Sequence, residues 1–172
     1  MKRAALIDGW YRCTLSRQWD DTKPGIAWIM LNPSTANGEH DDPTIRRIID
    51  FSQRWGFGTL NVVNLFAYRA TAPCELTSTK IDPVGPLNDS AISHVCSISS
   101  AIVLAWGTNP FALRRVEAVW GLVSRFPIMK GCLGTTKNGS PRHPLYVPKD
   151  TKVHPWRLHV PSALSNSGEG KP

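Results

Sequence analysis

The chain has 172 residues, of which 41% are hydrophobic and 19% are charged. This length suits one domain with a core that folds without disulfide or metal support, and this composition excludes wholesale disorder and a coiled coil. Lys and Arg number 20 against 13 Asp and Glu, which gives a formal net charge of +7. Such an excess favours partners that carry phosphate, nucleic acid above all, although solubility alone would also explain it.

The sequence contains no apolar run that approaches the roughly 20 residues of a bilayer-spanning helix. Asp8 ends the apolar stretch near the N-terminus far short of a secretory signal, so we expect a cytoplasmic protein without a membrane partner. The cysteines are scattered and the histidines form no ligand pair, which leads us to expect no metal and no cofactor. We also expect a monomer.

The first half of the chain alternates strand and helix patterns. The apolar run 26–31 is typical of a central strand that is buried on both faces. Asp42-Pro43-Thr44 predicts a helix start, because it supplies a capping carboxylate and a proline at the first helical position, and Gly56 ends that helix. A second strand is predicted over 60–66, followed by a long loop over 67–86 of the kind that is usually functional.

The same alternation continues in the second half, where helices are predicted over 88–99 and 111–125 and strands over 101–106 and 128–133. Strands that alternate with helices predict an α/β fold, a three-layer α/β/α sandwich with a mostly parallel four-stranded sheet. Residues 1–160 would form this single domain. The Ser/Gly/Lys-rich residues 161–172 would form a flexible C-terminal tail.

Polar clusters follow three of the predicted strands. They are Asn32-Pro33-Ser34-Thr35, the run 64–69 that begins at Asn64, and the run 142–146 that contains His143. Sheets of this class bind ligands at the carboxyl ends of their strands, so the three clusters are predicted to meet at one site. Each cluster alone is a weak signal, since Asn-Pro commonly forms a turn and a loop histidine is usually a surface residue.

The order of these motifs resembles that of the uracil-DNA glycosylase superfamily. A closer similarity, over residues 5–150, is to an uncharacterised family of bacterial and phage proteins. The motifs that carry this similarity are LNPSTA at 31–36, NLFAYRA at 64–70 and RHPLY at 142–146.

The resemblance implies a uracil-DNA glycosylase-like fold and a DNA glycosylase activity, in which the N-glycosidic bond of a flipped pyrimidine is hydrolysed and an abasic site remains. It implies that Asn32 positions the attacking water, that Asn64 pairs with the flipped base, and that His143 donates to the base carbonyl where negative charge accumulates. An amide is not a base, so leaving-group stabilisation would carry most of the rate. The clusters contain no lysine for a Schiff base, which makes the activity monofunctional.

Other residues of the motifs are expected to bind the base and the DNA. Pro33 and Ser34 would line the base pocket, Phe66 or Tyr68 would stack on the extruded base, Arg69 and Arg142 would bind DNA phosphates, and Leu145 and Tyr146 would wedge into the gap. The alternatives are that Phe66 is a core residue and that Arg69 is a solvated loop charge.

Two departures from the superfamily pattern bear on the substrate. Met30 and Leu145 stand where glycine and serine are usual, so we expect a damaged or modified pyrimidine, including a hypermodified phage base, at least as readily as uracil. A role in processing or attacking modified phage DNA is a hypothesis. Two other functions remain open: a nucleic-acid or nucleotide-binding module without catalysis, and a hydrolase of free modified nucleotides.

Overall fold

The computed structural model describes residues 1–72 and 74–158. The helices and strands run in the order β1 Lys2–Asp8, β2 Tyr11–Gln18, β3 Gly25–Met30, α1 Pro43–Arg54, β4 Thr59–Asn64, α2 Glu75–Ser78, α3 Asn88–Ser97, β5 Ala101–Leu104, α4 Leu113–Val123, β6 Met129–Cys132 and β7 His154–Pro155. Short 3-10 turns cover Pro110–Ala112 and Pro144–Tyr146. The predicted tail 161–172 lies outside the described residues.

The sheet has seven strands among these residues, in the order β1-β2-β4-β3-β5-β6-β7. The four central strands β4, β3, β5 and β6 are parallel to one another and coincide with the four strands predicted from sequence. The prediction of a four-stranded, mostly parallel sheet is nevertheless wrong, because β1 and β2 extend one edge and β7 extends the other, all through antiparallel pairing.

Helices cover both faces of the sheet, which confirms the α/β class and gives three layers. On one face α1 packs through Ile45 and Ile48 against Trp28 of β3. The Trp28 ring stacks on Trp55 with centroids 5.7 Å apart, and its indole N–H donates to the hydroxyl of Ser52 at 3.1 Å. On the other face α3 and α4 bury apolar side chains against alternate residues of the same strands, namely Ile92, Val95, Val116 and Val119 against Ile29 and Val63.

The start of α1 is fixed as its sequence predicts. The side chain of Asp42 accepts the backbone N–H of Ile45 at 2.8 Å, and Pro43 occupies the first helical turn. A capping carboxylate satisfies one of the backbone donors that the first turn of a helix leaves without a partner. Asp42 therefore has a fixed position and a fixed carboxylate orientation at the N-terminus of α1.

A β-bulge in the β1–β2 hairpin changes the direction of one side chain. Leu6 of β1 pairs with Thr14, but Ile7 pairs with Arg12, so Cys13 is an extra residue in β2. A bulge of this kind bends the strand and re-aims the neighbouring side chains. Both Arg12 and Cys13 are buried as a result.

The chain order of the central strands creates a crevice. From β3 the chain passes through α1 to β4 on one side, and it then crosses through α3 to β5 on the other side of β3. Ligands of open α/β sheets bind beside the carboxyl ends of the strands at this kind of reversal. Across the part of the chain described, no helix is long and apolar enough to span a membrane.

Candidate functional site

A cavity of about 450 Å³ opens at the carboxyl edge of the central strands. This volume lies within the range of about 300–1,000 Å³ that is usual for small-ligand sites. Asn32 after β3, Asn64 at the end of β4 and His143 before the 3-10 turn all line it. Residues from three separate sequence motifs therefore meet in one cavity.

The amide of Asn32 is held by two backbone carbonyls. Its Nδ2 donates to the carbonyl oxygen of Ala70 at 2.8 Å and to that of Pro33 at 3.0 Å. These bonds engage both amide hydrogens and fix the side chain. Since a carbonyl oxygen only accepts hydrogen bonds, Asn32 offers the cavity an acceptor with a fixed position.

Asn64 presents a buried donor at the cavity wall. The residue is 1% exposed, and its Nδ2 has no hydrogen-bond partner among the described residues. Its backbone carbonyl is held by Nδ2 of Asn88 at 3.1 Å, which also donates to the carbonyl of Leu65 at 3.0 Å. A buried polar group without a partner costs roughly 1–3 kcal/mol. A ligand with an acceptor in this cavity would remove that cost.

His143 is a neutral donor at physiological pH. Its Nδ1 accepts the backbone N–H of Leu145 at 3.3 Å, so the neutral ring carries its proton on Nε2. Burial lowers the pKa of His143 below its ordinary value of 6.5, and the nearby charge of Asp42 opposes that effect. The imidazole is therefore uncharged at neutral pH and has one N–H to give.

Two charged residues of the cavity were missed as site residues by sequence reasoning. Arg12 is 3% exposed, and it donates through Nη1 to the carbonyl of Ala36 at 2.6 Å. Burial lowers the pKa of Arg12 to about 10, while the charge of Asp42 opposes the shift. Its Nε has no partner among the described residues. Asp42 lines the same cavity, but the sequence pattern indicated only its helix-capping role.

The turn that carries His143 is attached to α1. The guanidinium of Arg47 donates to the carbonyl of Pro144 at 3.3 Å and to that of Val147 at 2.6 Å. These bonds hold the backbone on both sides of Leu145 and Tyr146. The position of His143 thus depends on the helix that begins at Asp42.

The aromatic residues predicted to stack on a base lie elsewhere. Phe66 is buried in the core, where its ring stacks on Phe111 with centroids 4.8 Å apart. Tyr68 is half-buried and packs edge-on against Tyr11 at 6.5 Å. Neither residue lines the cavity. The interpretation of Phe66 as a core residue is the one that its position supports.

Of the motif residues Pro33, Ser34 and Arg69, only Ser34 lines the cavity. Pro33 contributes a carbonyl that holds Asn32. Arg69 is exposed outside the wall, and its backbone N–H donates to the carbonyl of Trp10 at 3.0 Å.

Exposed aromatic and basic side chains line a second cavity beside the first. Leu145 is 43% exposed and Tyr146 is 79% exposed, and Tyr146 also lines the first cavity. A second cavity of about 510 Å³ shares His143 and Tyr146 with the first and adds Lys137 and Arg142. The Arg142 side chain is fixed by a bond from Nε to the carbonyl of Thr135 at 2.9 Å.

A family model described as "Protein of unknown function (DUF1643)" matches residues 12–145. The chain belongs to the DUF1643 family. The match begins at the buried Arg12 and ends at Leu145, so the DUF1643 domain contains every predicted site residue except Tyr146. Searches of curated proteins and of solved structures give no match. The resemblance to the uracil-DNA glycosylase superfamily has no counterpart in these comparisons.

The described part of the DUF1643 protein, residues 1–72 and 74–158, contains no group of three or more His, Cys, Asp or Glu side chains arranged to hold a metal ion. The cavity instead combines one buried guanidinium, one carboxylate, three amides and one imidazole, from Arg12, Asp42, Asn32, Asn64, Asn109 and His143. This set can position a water molecule, bind the polar edge of a heterocycle and donate to a developing anion.

Proposed function

We propose that the protein is a monofunctional DNA glycosylase that hydrolyses the N-glycosidic bond of a damaged or modified pyrimidine flipped out of DNA. The observation that carries this proposal is the meeting of Asn32, Asn64 and His143 in one cavity at the carboxyl edge of the sheet. The three residues come from motifs that are far apart in the chain, and each presents a different hydrogen-bonding group.

The reaction has three requirements that these groups meet. The bond breaks through a sugar with oxocarbenium character and a departing base with negative charge, so the enzyme needs a positioned water, a reader of the base edge and a donor for the anion. The fixed Oδ1 of Asn32 suits the water. The buried Nδ2 of Asn64 suits a base carbonyl, and Nε2–H of His143 suits the atom where charge accumulates.

The surroundings of the cavity suit DNA. The chain carries a net charge of +7, and Arg142 and Lys137 line the second cavity. Tyr146 is an exposed side chain that lines both cavities, and the exposed Leu145 precedes it in the chain. Side chains of this type fill the gap that a flipped nucleotide leaves, while basic groups bind the flanking phosphates.

The test is base release from a panel of oligonucleotides. Single-stranded and duplex DNAs would each contain one deoxyuridine, thymidine, or pyrimidine with a methyl, hydroxymethyl, formyl, carboxyl or glycosyl substituent. Released base would be identified by mass spectrometry, and the abasic site by alkaline strand cleavage. We expect release from at least one member of the panel, at a rate that falls steeply as salt increases, because the enzyme must bind phosphates.

The controls separate the alternatives. The Asn32→Ala variant should bind the same DNA without releasing base. DNA binding by the wild type without release from any oligonucleotide would favour a binding module and contradict the proposal. Release from free nucleotides, with little dependence on salt and none from DNA, would identify a nucleotide hydrolase instead.

A further inference from the structure

Asp42 is the only carboxylate among the described residues that line the cavity. One of its oxygens, Oδ1, accepts the N–H of Ile45 at 2.8 Å, and this bond fixes the plane of the carboxylate. Arg12 and His143 line the same cavity, and the charge of Asp42 opposes the lowering of the pKa of each. The residue thus brings a fixed anionic group to a cavity in which the other polar groups are amides, hydroxyls, an imidazole and a guanidinium.

The proposed reaction lacks a proton acceptor if the sequence-predicted residues act alone. The amide of Asn32 cannot take a proton from water at neutral pH. The neutral ring of His143 is also committed, because Nδ1 accepts the N–H of Leu145 and Nε2 already carries the proton. Asp42 is the remaining base of the cavity wall.

We propose that Asp42 is the general base of this site and accepts the proton of the water that Asn32 positions, an inference that rests on the proposed glycosylase function. In this step the water oxygen forms a bond to the anomeric carbon of the sugar, and the bond from that carbon to the base nitrogen breaks. The electron pair of the broken bond leaves with the base. The water proton passes to Asp42.

The later proton transfers complete the balance. The departing base anion is held by Nε2–H of His143, and it takes a proton from solvent after it leaves. Asp42 returns its proton to solvent, so the sum of the steps is the addition of one water across the N-glycosidic bond. No oxidant, reductant or metal is needed.

The charged groups around Asp42 come from β2, from the 3-10 turn and from the segment at the start of α1. Arg12 approaches from β2 and His143 from the 3-10 turn. The side chain of Arg46 in α1 donates to the backbone carbonyl of Asp41, the residue next to Asp42, and the carboxylate of Asp41 is paired with the buried Arg17 at 2.7 Å. Because Asp41 is committed to Arg17, Asp42 is the carboxylate of this pair that faces the cavity.

The test distinguishes the general-base role of Asp42 from its helix-capping role. Asn caps helices about as well as Asp, so Asp42→Asn keeps the bond to Ile45 but cannot accept a proton. The matched control is Asp50→Asn, which removes the same charge from α1 at an exposed ion pair with Arg54. Single-turnover base release would be measured on the oligonucleotide that the wild type cleaves fastest in the panel above, and DNA affinity by fluorescence anisotropy.

We expect Asp42→Asn to lower the rate of base release by about 10²-fold or more, which is the usual contribution of a general base, with DNA affinity and melting temperature close to those of the wild type. Asp50→Asn should cleave normally.

A second variant shows whether a loss of base release comes from a structural effect of the substitution. Ser is also a good cap, and Asp42→Ser leaves room for formate, which should restore base release in that variant and not in Asp42→Asn. Normal cleavage by Asp42→Asn, or loss in both variants without rescue by formate, would overturn the role of Asp42 and leave the glycosylase function intact. Failure of the wild type to release base from any oligonucleotide would overturn both.

Discussion

The substitution Asn64→Leu is expected to stabilise the protein while it removes function. Nδ2 of Asn64 is buried at the cavity wall without a partner among the described residues, and such a group costs roughly 1–3 kcal/mol. Leu has nearly the same shape as Asn and removes the unpartnered donor. We therefore expect the free energy of unfolding to rise by about 1 kcal/mol, the lower end of that cost.

The assay is thermal and urea unfolding, followed by circular dichroism, with base release measured in parallel. For a domain of this size, 1 kcal/mol corresponds to a rise in melting temperature of about 2–4 °C. Asn88→Leu is the matched control, because its Nδ2 donates to the carbonyls of Asn64 and Leu65. The carbonyl of Leu65 keeps the Nε–H of Arg115 at 3.2 Å, but the buried carbonyl of Asn64 loses the Asn88 donor, so this variant should be less stable than the wild type.

The comparison of the two variants decides whether the Nδ2 donor of Asn64 lacks a partner in the free protein and is therefore available to a ligand. If Asn64→Leu loses as much stability as Asn88→Leu, the amide has a structural partner in solution and its interpretation as a base reader fails. If Asn64→Leu is more stable but still releases base at the wild-type rate, the amide is unpartnered yet plays no part in recognition.

Three further outcomes are expected. Asn32→Ala should abolish base release with DNA affinity nearly unchanged, since the residue holds water and not the DNA backbone; near-normal turnover would contradict this role. His143→Ala should slow single-turnover cleavage by about 10²-fold or more with a modest change in affinity, whereas Arg142→Ala should weaken binding and reduce its salt dependence; the reverse pattern would exchange their roles. Because burial lowers the pKa of His143 below 6.5, the unfolded chain binds this proton first as pH falls, so stability should decrease below about pH 6.5. Urea unfolding at several pH values should show that decrease in the wild type, and His143→Gln should show less of it.

Much of the central fold could be predicted because its signals are local. The strands β3 and β5 are continuous apolar runs, β4 has a β-branched apolar centre, and α1 has a cap, a proline and an apolar face. Asn32 and Asn64 could be placed at one edge because the carboxyl ends of parallel strands meet there.

The edge strands could not be predicted, since their sequences carry no such pattern. The side chains of β1 are almost all exposed, β2 buries Arg12 and Arg17 where apolar residues are expected, and β7 has only two residues. The bulge that turns Arg12 inward is a property of strand pairing, which no single segment reveals.

The sequence left the role of Phe66 open and did not reveal the second role of Asp42, for a different reason. Beyond the end of a strand, the alternation of faces no longer predicts where a side chain points. The sequence therefore could not decide whether Phe66 lies in the core or in the cavity. For Asp42 the sequence predicted the helix-capping role, and that role gave no reason to expect a second one in the cavity wall. A helix cap explains the residue completely in sequence, and only the position of the helix N-terminus beside His143 and Arg12 shows that it also faces the cavity.

The bonds from Arg47 to the backbone on either side of the 3-10 turn have a consequence for how a ligand enters. They join the turn to α1, so His143 and Asp42 belong to one rigid unit, and the spacing between them is set before any ligand arrives. Preorganisation of this kind lowers the conformational cost of binding and of reaction. The turn cannot swing open as a lid without breaking both bonds to Arg47. The exposed side chain of Tyr146, which also lines the cavity, can change rotamer without breaking either bond.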